Sequence, residues 1–150
     1  MRRGWSGLLG VLWLLAACGG SPETRVRVCG DVSVPGEVDA LRVSLRDEIF
    51  GELRAGVLEL VTDEGVRGLP VTMTFPPVRE TQWVTVVALL EGVEVARFDR
   101  HTGTLPEDAD VHLVLTSACY RFTCPRGQTC LDALCDTAPG PVDAPGCGEP

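Results

Sequence analysis

The chain has no lysine and no asparagine, and all thirteen of its basic residues are arginine. So complete a preference for one cation reflects the codon usage of a GC-rich gene, and the arginine count is not evidence of nucleic-acid binding. Net charge points the same way: it is −8, and an acidic surface repels the phosphate backbone that dominates nucleic-acid affinity. Histidine is scarce. Only His101 and His112 could act as near-neutral bases. His101 is expected in a loop, and His112 alternates with Val111 and Leu113 and is expected to face solvent. Ser33, Ser44 and Ser117 occupy no nucleophile elbow, and no glycine-rich phosphate loop occurs. The expectation is a non-enzymatic protein without catalytic residues. One grouping of hard-cation ligands exists, Glu107, Asp108 and Asp110 with Asp99. It falls short of the six or more oxygens and the EF-hand spacing that calcium requires. It reads as a solvated acidic turn, and neither a metal nor a cofactor is expected.

A long apolar run is also missing. Leu8, Leu9 and Val11 to Leu15 behind Arg2 and Arg3 make about half of the roughly 20 residues that a spanning helix needs, so they read as a targeting segment. Its end, Leu15-Ala16-Ala17-Cys18 followed by Gly19-Gly20-Ser21-Pro22, resembles a bacterial lipobox. Arg2-Arg3 lacks the flanking pattern of a twin-arginine signal, which favours general secretion. The resemblance implies that residues 1–17 are cleaved and that Cys18 becomes the lipidated N-terminus, its lipid the only covalent group expected. Residues 18–23 then form a polar tether. Loss of Arg2 and Arg3, with no acid among the first seventeen residues, takes the formal charge to about −10.

Seven cysteines are present, and an odd number in an oxidising compartment leaves one unpaired. Lipidation of Cys18 leaves Cys29, Cys119, Cys124, Cys130, Cys135 and Cys147, an even set of the kind an exported chain uses for disulfides. Six cysteines allow fifteen pairings, which sequence does not decide. The preferred arrangement is interlocked, Cys119 with Cys130 and Cys124 with Cys135, leaving Cys29 for Cys147. The spacings of four, five and four residues do not form the two knuckles of a zinc site.

Strand patterns occupy the middle of the chain. Leu41 to Arg46, Val71 to Phe75 and Val111 to Leu115 alternate apolar and polar residues. Trp83 to Leu90 is apolar on both faces apart from Thr85, as a central strand should be. Glu91-Gly92 turns it into Val93 to Asp99. With Thr24 to Cys29 and Gly56 to Thr62 this makes seven strands, while Asp47 to Arg54 reads as either a helical turn or a loop. The expected fold is all-β, a seven-stranded antiparallel β-sandwich of immunoglobulin-like or transthyretin-like type. The sandwich spans residues 24–117, a disulfide-rich module 118–136, and a Pro/Gly-rich tail 137–150.

Arg25-Val26-Arg27-Val28, Val34 to Val43, and Cys119 to Cys135 with Gly127-Gln128-Thr129-Cys130 inside it together resemble small surface lipoproteins of myxobacteria and related deltaproteobacteria. In these a sandwich-like domain precedes a short cysteine-rich module, and no catalytic residues transfer from them. The implied function is a non-enzymatic lipoprotein of the cell envelope with a binding or structural role. It would be held in the outer membrane by its lipid and would contact a protein or polysaccharide of the envelope, not nucleic acid. The alternative is a secreted inhibitor or accessory subunit that presents Arg126 in a disulfide-braced loop.

Overall fold

The computed structural model describes residues 21–131, 133–138 and 147. The expected signal segment 1–17, Cys18 and most of the expected tail 137–150 lie outside the described residues. Among the described residues the chain is all-β, with eleven strands in four sheets and one 3-10 turn, Ser117–Cys119. The strands are β1 (Thr24–Gly30), β2 (Ala40–Arg46), β3 (Glu52–Glu59), β4 (Val61–Thr62), β5 (Gly65–Val66), β6 (Val71–Phe75), β7 (Trp83–Leu90), β8 (Val93–His101), β9 (Ala109–Leu115), β10 (Gln128–Leu131) and β11 (Leu134–Thr137).

Two larger sheets share one core. The small one has the order β6-β1-β9 and the large one β3-β2-β7-β8. Alternation decides which side chains meet between them. Val26 and Val28 of β1, Phe75 of β6, and Val111, Leu113 and Leu115 of β9 are buried from one side. Leu41, Val43 and Leu45 of β2, Val84 and Val86 of β7, and Phe98 of β8 are buried from the other. β7 lies between β2 and β8, and Val84 to Ala88 are buried without a break, as its doubly apolar sequence requires.

Three expectations are corrected. Eleven strands replace seven because two short hairpins, β4–β5 and β10–β11, add four. The segment Gly56 to Thr62 is not one strand: Leu60 is fully buried, and turning its side chain into the core ends β3 at Glu59 before β4 begins. The fold is also not wholly antiparallel. β9 returns from the large sheet through residues 102–108 at the end of the small sheet where β1 starts, so it must run with β1, and the two pair in parallel from Thr24↔Ala109 to Gly30↔Leu115. Asp47 to Arg54 resolves into a turn, residues 47–51, followed directly by β3.

The parallel pair closes on a glycine. Gly30 has φ +150°, and a Cβ there would lie 1.8 Å from the carbonyl oxygen of Leu115. Gly68 has open space around its missing Cβ. Gly30→Ala should therefore destabilise the protein by about 2–4 kcal/mol through strain and displaced pairing. Gly68→Ala should be neutral or stabilise by about 0.4–1 kcal/mol through loss of unfolded-state freedom. Urea denaturation midpoints of the two variants against wild type give the comparison.

Candidate functional site

The outer face of the large sheet carries polar residues in register where an exposed sheet would carry isolated ones. Ser44 of β2 lies opposite Thr85 of β7, which lies opposite Asp99 of β8. All three are buried. The Thr85 hydroxyl donates to Asp99 Oδ1 at 2.6 Å, and the Gly127 amide donates to Asp99 Oδ2 at 3.3 Å. Ser44 donates to Glu52 Oε2 at 3.1 Å. Glu52 also accepts from Arg42 at 2.9 Å and faces Arg46 at 3.6 Å. Burial by itself would raise the Glu52 carboxyl, but the bonds from Ser44 and Arg42 and the charges of Arg42 and Arg46 outweigh it, so the group titrates below its ordinary value.

One row further along the same face, aromatic rings pack together. Phe50 stacks on Trp83 with centroids 4.5 Å apart, and His101 lies 4.7 Å from Trp83. His101 is thus the last residue of β8 packed against an indole, which corrects its reading as a loop residue: the strand runs two residues beyond Asp99. Gly127, with φ +77°, comes to the far side of this stack, where a Cβ would meet the Phe50 and Trp83 rings at 3.6 and 3.9 Å.

The cysteine-rich module is what brings Gly127 there. Cys119 is bridged to Cys130, Cys124 to Cys135, and Cys29 to Cys147, the pairs set out above. Cys130 and Cys135 face each other across β10–β11, so each strand of that hairpin is pinned to a different point of the segment leading into it. A module this small cannot bury a core of its own, and bridges worth about 2–4 kcal/mol each supply what packing does not. Arg126 is exposed beside the docked Gly127.

The remaining candidates separate. His112 faces the outer side of the small sheet, and His101 that of the large sheet. His112 is half-buried and not simply solvated: its Nδ1 accepts from the Cys147 amide at 3.1 Å, and its Nε2 lies 3.6 Å from Asp110. Asp99 is not near the other carboxylates proposed with it. Asp108 and Asp110 face Arg25, and Glu107 pairs with Arg79. No cluster of metal-ligating residues occurs among the described residues. Arg100 donates to the carbonyl of His112 at 2.5 Å, linking the two sheets, and burial lowers its pKa. Beside it, a cavity of about 110 Å³ is lined chiefly by Phe98, Leu113, Val114 and Leu131.

No family model, curated protein or solved structure matches this chain. On its large sheet a disulfide-braced loop is seated through the buried carboxylate of Asp99. In the sequence Asp99 stands as the end of a strand and a possible calcium ligand, and no local pattern pairs Phe50 with Trp83. The usable signal is Thr85, a polar residue inside the otherwise apolar β7, whose hydroxyl needs a bonded partner once buried. Asp99→Ala leaves the Thr85 hydroxyl and Gly127 amide without their acceptor, at a cost of about 1–3 kcal/mol. Lower stability in urea and faster tryptic cleavage after Arg126 are expected together, measured by denaturation and timed digestion.

Proposed function

We propose that this chain is a lipid-anchored, non-enzymatic protein of the cell envelope, fixed by a lipid on Cys18 and acting through protein or polysaccharide contacts. One observation carries the reading: the three bridges use Cys29, Cys119, Cys124, Cys130, Cys135 and Cys147, six of the seven cysteines in the sequence, so the count leaves Cys18 for the proposed lipid. Disulfides of this number suit an oxidising compartment. The first strand begins at Thr24, six residues after Cys18, the length of a short tether. Gly19 in place of aspartate after the cysteine favours sorting to the outer membrane. The resemblance to myxobacterial lipoproteins agrees with this placement.

In this reading the three- and four-stranded sheets are the two leaves of a seven-stranded sandwich of immunoglobulin-like or transthyretin-like type, and the hairpins are additions to it. The loops and open sheet edges are the contact surfaces. No nucleic acid, metal or other cofactor takes part. Expressed in a bacterial host, the wild-type protein should partition with membranes and yield an N-terminal peptide carrying acyl mass at Cys18. Cys18→Ser should be recovered in the soluble fraction. A Cys18→Ser protein that still partitions wholly with membranes overturns the reading.

A second reading rests on Arg126, which is exposed while its neighbours are held by two bridges and by Asp99. A loop so constrained loses little entropy when a protease binds it, which is the geometry of an inhibitor. Inhibition of a trypsin-like protease by wild type, abolished in Arg126→Ala, supports this reading. Equal absence of inhibition by both proteins removes it.

A further inference from the structure

We infer that the turn between β2 and β3 seats Ile49 against a lipid bilayer, as a second, shallow membrane contact beside the lipid on Cys18. The inference rests on the proposed lipidation and adds to it a face of the folded domain.

The tether and the turn share one end of the fold. Thr24 at the start of β1 is paired with Phe75 at the end of β6 and Ala109 at the start of β9, so the tether joins the end of the fold where these residues lie. Two crossovers leave that end for the large sheet, residues 76–82 and 102–108, joined by the Arg79–Glu107 pair. Gln82 of the first crossover donates its amide to the Arg46 carbonyl at 2.8 Å and its side chain to Thr104 of the second at 2.9 Å. Arg46 is the residue directly before the turn at 47–51, which therefore shares the tether end. Six residues from Cys18 to Thr24 span at most about 20 Å, so this end of the domain stays within reach of the headgroups. The β7–β8 turn, with Val93, lies at the opposite end of its strands.

The turn itself is closed by its own hydrogen bonds. Asp47 Oδ1 accepts the amides of Ile49 at 3.0 Å and Gly51 at 2.7 Å, while Asp47 and Gly51 close the backbone at 2.9 Å. Arg46 donates to the Phe50 carbonyl at 3.0 Å. Phe50 adopts φ +63°, a conformation unfavourable for a bulky residue, and its ring is held on Trp83. Asp47, Phe50 and Gly51 around Ile49 are tied down, yet Ile49 itself is 84% exposed, more than any other large apolar side chain among the described residues. An isoleucine presented in solvent on a backbone already closed into a turn can enter an apolar phase with little further ordering of that backbone.

Charge selects the kind of surface. Glu48 and Glu80 are exposed near the turn, Asp47 is engaged in it and Arg79 is paired, and the exposed Arg126, next to the Gly127 that meets Phe50, leaves the two acids in excess. Such an end is repelled by anionic lipids, so the fitting partner is a zwitterionic surface that Ile49 enters by the shallow insertion of an interfacial contact, about 5–10 Å deep.

The test uses the full-length lipidated protein reconstituted into phosphatidylcholine–phosphatidylethanolamine vesicles with and without brominated acyl chains, which quench tryptophan on contact. Ile49→Trp and Val93→Trp both replace exposed residues, so a general affinity of tryptophan for interfaces acts on both, and wild type supplies the Trp83 background. Ile49→Trp should lose about half of its added emission in brominated vesicles, as befits a side chain at interfacial depth, and Val93→Trp should keep its own. Wild-type protein that floats with vesicles while position 49 is quenched no more than position 93 overturns this inference alone. Failure of the wild type to float, with no acyl mass at Cys18, overturns the lipid anchor and this inference with it.

Discussion

Because β1 runs parallel to β9, the two segments that leave the small sheet leave it from opposite ends. The N-terminal tether departs where both strands begin, and the cysteine-rich module departs where both finish. Parallel strands cannot be joined by a tight turn, so the pair had to be assembled from residues 24–30 and 109–115 with the whole large sheet made between them. Gly30 permits the approach at the far end, where the Leu115 carbonyl occupies the space of a side chain. The Cys29–Cys147 bridge then brings Cys147 to this same pair, with the Cys147 amide donating to His112.

The second dependency is the buried polar row on the outer face of the large sheet. A carboxylate removed from water is costly unless its oxygens are bonded, and Asp99 meets that requirement with one partner from the sheet and one from the module. The module is stapled internally by two disulfides, but these say nothing about where it sits. Asp99, the aromatic rings beside Gly127 and the burial of Cys119, Cys124 and Cys130 in the common core together give the module its address on the sheet. The result is a composite surface in which Arg126, at the edge of the docked loop, stands out against a rigid background.

How legible this was depends on the range of the interactions concerned. Leu41 to Arg46, Trp83 to Leu90 and Val111 to Leu115 were readable because side-chain alternation is local and reports burial directly. The two-residue strands β4 and β5 were not, because the side chain of Leu60 must find the core before the chain has reason to break there. Asp47 to Arg54 was ambiguous for a related reason. The Asp47 side chain bonds within its own turn, a pattern compatible with a helical start until Phe50 stacks on Trp83, more than thirty residues away. His101 was placed in a loop because no local pattern extends β8 past Asp99. Its strand position comes from pairing with Trp83 across the sheet.

Sequence alone determined the all-β character, since period-two burial dominates the chain. It also gathered Cys119, Cys124, Cys130 and Cys135 into one close cluster, while the choice among fifteen pairings was left to the fold. The strand character and the cluster follow from nearest-neighbour periodicity and from how few residues separate the thiols. Tertiary structure decided the parallel partner of β1, the separation of His101 from His112, the pairing of the acidic turn with Arg25 and Arg79, and the seating of Gly127 on Asp99. Each of these brings together residues far apart in the chain, where only the closing of the core and the demand that buried polar atoms be bonded select one arrangement from many.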